Sequence, residues 1–214
     1  MDQPSDDELP EDWESFFAPR EWPEWVELTP ERVAIINLQD CAEQLERSAA
    51  EPIRMALAAK AAHLAMQAAL TAALAGSANI GAHPQKLREK WLSYLEDRGS
   101  GAVERPDSDR VMAFSDLLKQ ALAAPLQWSG KPLEVTDEQH QLLDRLSEVR
   151  HGFEHPKQAT WSIEPAWIAE TIPVAAHLSV QLLEVVFHHL EPGEIEQLQR
   201  TAERIAALCE PAPL

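Results

Sequence analysis

Between residues 146 and 156 the chain reads Leu-Ser-Glu-Val-Arg-His-Gly-Phe-Glu-His-Pro, which sets Arg150, His151 and His155 beside Glu148 and Glu154. Imidazole titrates near neutrality and can move protons, and the planar guanidinium fork grips carboxylates and phosphates. On a helix the four-residue spacing puts His151 and His155 on one face, whereas Arg150 and His155 stand about 140° apart. Ideal helical geometry therefore does not converge the arginine on the second histidine. His155 precedes Pro156, which disfavours the α region, and Gly152 loosens the turn before it, so His155 is able to leave the helical cylinder. A second copy of the helix across a twofold axis is another way to bring the groups together.

The same string has two other readings. His151-Gly152-Phe153-Glu154-His155 has the form His-x-x-Glu-His, a zinc pattern in which two histidines hold the metal and the glutamate acts on water. That use needs a third protein ligand and a firm helical platform, and glycine followed by proline is a poor one. In the plainer reading Arg150 pairs with Glu154 or Glu148, and the histidines sit at a helix C-terminus, where the dipole favours imidazolium.

The elements that must position these groups read as helices. Thr136-Asp137-Glu138-Gln139 has the form of a capping box, so a helix starts at Thr136 with Leu142, Leu143, Leu146, Val149 and Phe153 on its apolar face. Upstream, Glu31 to Leu45 is amphipathic, and Ile53 to Ala75 is an alanine-rich central helix stopped by Gly76. Pro84 opens a helix through Trp91 and Leu95, and Asp107 or Ser108 can cap one from Val111 to Leu122, followed by a loop over 126–135. Downstream, Pro165 opens a helix that carries Trp167 and runs to Leu190 with a bend at Pro173, and Pro192-Gly193 separates a last one with Ile195, Leu198 and Ile205. No run alternates convincingly enough for a strand and no fixed repeat stands out, so the expected fold is an all-α, antiparallel helical bundle.

Composition bounds the rest. The chain has 214 residues with 36 acidic against 18 basic side chains, a formal charge of −18, and 45% hydrophobic residues. It can bury a core, and its acidity argues against broad binding of a phosphate backbone, which needs clustered Lys and Arg. Residues 1–32 hold eleven acids against Arg20 and Arg32, half the net charge, together with Trp13, Phe16, Phe17, Trp22 and Trp25. Residues 1–30 are thus expected to be an acidic, Trp/Pro-rich segment that docks on its own domain or binds a protein partner, with residues 31–210 forming the bundle. Two cysteines, Cys41 and Cys209, fit a reducing compartment, and the start Met1 to Glu8 lacks a basic and apolar leader, so a cytoplasmic location is expected. The run Ala56 to Ala75 is interrupted by Lys60, His63 and Gln67 and reads as a buried helix, with no membrane span expected.

Other side chains carry weaker signals. His188-His189 beside Glu184 and Glu191 reads as a solvated helix end, and His63 and His177 read as satisfied core or interface histidines. Asp107 to Arg110 and Arg145 to Glu148 look like ordinary charged faces. No phosphate loop, nucleophile elbow or dinucleotide fingerprint is present, and no cofactor is expected.

Arginine, a polar residue and then histidine near the end of a bundle helix resembles the HEPN (higher eukaryotes and prokaryotes nucleotide-binding) superfamily. Arg150, His151 and His155 carry the likeness, with four residues between the arginine and the last histidine, and the turn Trp161-Ser162-Ile163-Glu164 before another long helix adds to it. The family most often has asparagine after the arginine, where this chain has His151. The resemblance, over residues 31 to 190, implies an all-α bundle, usually a homodimer. It also implies either a metal-independent endoribonuclease or a silent relative that only binds or scaffolds. Under it His155 is general base or acid, Arg150 clamps the phosphate of RNA, and His151 orients or serves as the second acid/base group.

Overall fold

The computed structural model describes residues 25–98, 100–155, 162–186 and 190–210. Their regular elements are α1 (Pro30–Ser48), α2 (Arg54–Ala75), α3 (Gln85–Glu96), α4 (Phe114–Ala123), α5 (Asp137–Glu154), α6 (Pro165–Val185) and α7 (Pro192–Cys209). No strand occurs among the described residues, and the all-α reading holds. The aromatics Trp13, Phe16, Phe17 and Trp22, together with Pro156, Trp161, His188 and His189, lie outside the described residues.

Local chemistry explains most helix starts. The Thr29 side chain accepts from the Arg32 N–H at the head of α1, and at α5 the Thr136 and Gln139 side chains satisfy each other's backbone N–H groups at 3.2 and 3.0 Å. Glu191 and Glu194 make the same reciprocal arrangement at α7. Pro30, Pro165 and Pro192 each stand in a first turn, where a missing N–H costs nothing.

Packing centres on α2. Its alanines, among them Ala58, Ala62, Ala65, Ala69 and Ala73, are buried with Met66 and Leu70. Their small side chains let α1, α4, α5 and α6 approach it from different sides. Ile172, Leu178, Leu182 and Leu183 of α6 fill the facing core, and α7 packs on α6 and α1. Each fully buried Leu contributes about 1.5–3 kcal/mol of transfer free energy. By length and composition α2 and α6 could cross a membrane, but 67% and 56% of their apolar windows are buried in the bundle, as in core helices.

Two boundaries differ from expectation. The segment from Asp107 to Ala113 is not helical, and α4 begins at Phe114. Its backbone is spent on tertiary bonds: Ser108 O accepts from Trp91 Nε1 at 3.1 Å, Arg110 O lies 2.9 Å from His83 Nδ1, and the Met112 N–H donates to Ala82 O at 2.9 Å. The Ser108 hydroxyl accepts from the Arg110 N–H in a local turn and caps no helix. At the other end α6 stops at Val185, short of Leu190, although it passes through Pro173. Gly76 ends α2 at φ 67°, and at Gly81 a Cβ would stand 1.9 Å from Leu74 O, so the α2–α3 turn accepts only glycine there.

Candidate functional site

The end of α5 carries the residues that the sequence singled out. α5 continues through Gly152 to Glu154, and His155 leaves the helical region at φ −126°, ψ 72°, while its N–H still donates to His151 O at 2.9 Å. The rings of His151 and His155 consequently meet, centroids 4.7 Å apart and tilted by 54°. Both are exposed. Arg150 is paired along the helix, its Nε 2.7 Å from Glu154 Oε1 in the i,i+4 ion pair, with the two side chains 32% and 36% exposed.

Arg150 and His151 line a cleft of about 1000 Å³ formed by α5, the start of α4, the start of α6 and one residue of α2. His155 is not among its lining residues; it touches the cleft only through the His151 ring. The remaining walls bring in residues to which sequence reasoning assigned no role in the site: His63, Phe114, Arg145 and Trp167. The Arg145 guanidinium stands 6.0 Å from the Trp167 ring centroid, within cation–π range, so the charged stretch from Arg145 to Glu148 is a cleft wall as well as a solvated face. Glu148 and Glu164 also line the cleft and balance the two guanidinium groups. Attraction for an anion there depends on aimed donors more than on net field.

His63 departs most from expectation. It is fully buried, packed on Phe114 with ring centroids 4.4 Å apart, and neither ring nitrogen has a hydrogen-bond partner among the described residues. Burial, assisted by the positive charge of Arg150, lowers its pKa from 6.5 to about 4, so the ring is neutral at pH 7. His177 is exposed and so is not a core histidine, with Nε2 3.2 Å from Gln181 Nε2. The one sequence sign that set His63 apart was an imidazole within an alanine-rich helix.

Among the described residues no group of three His, Cys, Asp or Glu side chains is placed to hold a metal ion. The His-x-x-Glu-His string thus gains no third ligand there, and its glutamate is engaged with Arg150. What the arrangement offers is proton transfer by the His151–His155 pair at the rim and anion recognition by Arg150 inside. No family model matches the chain, and no curated protein or solved structure matches it either.

Proposed function

We propose that this chain is a HEPN-like bundle that cleaves RNA without a metal, acting as a homodimer in the cytoplasm. The observation that carries the reading is that Arg150 and His151 share one cleft while the His155 ring rests on that of His151. In the proposed reaction one imidazole takes the proton of the 2′-hydroxyl and O2′ attacks the adjacent phosphorus. The bond to O5′ breaks as the other imidazole supplies a proton, leaving a 2′,3′-cyclic phosphate and a 5′-hydroxyl. Arg150 offsets the charge that builds on the non-bridging oxygens. Purified protein is expected to cleave RNA in EDTA with cyclic-phosphate ends, and Arg150→Ala and His155→Ala to lose that cleavage with melting temperatures unchanged. Wild-type protein without such cleavage overturns the reading.

A second reading, a silent HEPN-like module that binds a protein partner, is favoured by two features. Arg150 is engaged by Glu154, and Trp25, Val26 and Leu28 before α1 are 83%, 72% and 66% exposed. Deletion of residues 1–30 then abolishes partner capture while Arg150→Ala leaves it intact.

A further inference from the structure

The two His63 ring nitrogens and the Trp167 indole nitrogen are buried without a hydrogen-bond partner among the described residues, and both residues line the cleft that Arg150, ion-paired with Glu154, also lines. His63 and Trp167 come from two helices, α2 and α6. An unpaired buried donor costs about 1–3 kcal/mol. Folded chains seldom carry several in one place without a use for them.

Their chemistry specifies what would satisfy them. The Trp167 indole is a donor only, a neutral imidazole has one donor and one acceptor, and the Arg150 guanidinium beside them carries the positive charge. The group that fits is compact and rich in acceptors. Phe114, Val149 and Ile163 line the cleft near these donors and offer no competing acceptor from their side chains. Glu148 and Glu164 in the walls would repel a second or third negative group, which disfavours a polyphosphate chain.

We infer that the inner end of the cleft is an anion subsite for a single phosphoryl group of a nucleotide, with His63 and Trp167 as ligands beside Arg150. The identity of the nucleotide as a piece of RNA rests on the proposed nuclease function; the anion subsite does not. His63 and Trp167 act here by holding the phosphoryl group, and the proton transfers stay with His151 and His155.

The test is calorimetry on the full-length chain with three probes: inorganic phosphate, uridine 3′-monophosphate and a short single-stranded RNA. The wild type is expected to bind the monophosphate. Trp167→Phe, which keeps an aromatic ring and removes one N–H, is expected to weaken that binding about 10- to 100-fold, the usual worth of a hydrogen bond to a charged group. His63→Leu is expected to weaken it as well, and the His63 ring signals of the wild type are expected to shift on titration. If inorganic phosphate binds as tightly as the nucleotide, the subsite stands and its ligand is the free anion.

No binding of either small probe by the wild type overturns the subsite, as does unchanged affinity in Trp167→Phe with an unmoved His63 signal. RNA cleavage that needs Arg150 but survives Trp167→Phe and His63→Leu removes the subsite and leaves the nuclease reading in place. Monophosphate binding without RNA cleavage does the reverse.

Discussion

His63 packs its imidazole against the ring of Phe114, centroids 4.4 Å apart, and so joins the central helix to the start of α4 at the inner wall of the cleft. The contact keeps the imidazole out of water. Its two nitrogens meet no partner among the described residues. A group held like this destabilises the fold, and the cost is measurable.

His63 makes stability depend on pH. Its pKa is lowered from 6.5 to about 4 on folding, so between those values the unfolded chain binds the proton and the native one does not. The stability associated with the neutral ring is fully present above pH 6.5 and is lost as pH falls toward 4, on the order of 3 kcal/mol in all. Urea unfolding at pH 7.5 and pH 5 is expected to show a drop in the wild type that is smaller in His63→Leu. At pH 7.5 the leucine variant is expected to be more stable by about 1–3 kcal/mol, since it removes an unpaired buried polar group. A less stable variant would mean that His63 holds the fold together.

The cysteines are expected to be inert. Cys41 is buried on α1, where burial, then the nearby Cys209 and Asp40, push its thiol far above the ordinary range; burial pushes Cys209 up to about 11. At pH 8 both are protonated, and the thiolate is the reactive form. A disulfide reagent added to native protein is expected to react with Cys209 about a hundredfold more slowly than with a free thiol and with Cys41 more slowly still. Both react at once in denaturant. Fast labelling of Cys41 in the native state would mean that α1 opens readily.

Thr136→Ala is expected to lower stability by about 1 kcal/mol, because the capping hydroxyl accepts from the Gln139 N–H and no other cap replaces it. Gln139→Ala loses the reciprocal bond and is expected to cost less. Chemical denaturation of the two variants and the double variant measures the coupling. Additive losses would show that the two halves of the box act independently.

That helix start was readable because it is decided within four residues, as was the cluster of Arg150, His151 and His155. The start of α4 was not. A serviceable cap at Asp107 or Ser108 lost to bonds between the chain at 108–112 and the Ala82, His83 and Trp91 region, which no local pattern announces. The cleft divides in the same way. Arg150 and His151 advertise themselves by type and proximity, whereas His63 and Trp167 enter the site only because α2 and α6 pack against α5. A histidine inside an alanine helix reads as core until its neighbours are known.

The ion pair between Arg150 and Glu154 bears on both proposed readings of the cleft. Both side chains are about one-third exposed, so breaking the pair is expected to change stability by less than about 1 kcal/mol. Its effect on function is expected to be larger. Glu154→Gln removes the carboxylate that occupies the guanidinium and leaves Arg150 more available to a phosphate. If the cleft cleaves RNA, this variant is expected to match or exceed the wild type, while His155→Ala falls about 10²- to 10⁴-fold, the usual contribution of a positioned acid or base. The measurement is the initial rate on a fluorogenic RNA in EDTA, alongside thermal melts of each variant. A Glu154→Gln protein that folds and cleaves far more slowly than the wild type would give Glu154 a direct part in the chemistry, and the arginine could no longer be assigned the phosphate on its own.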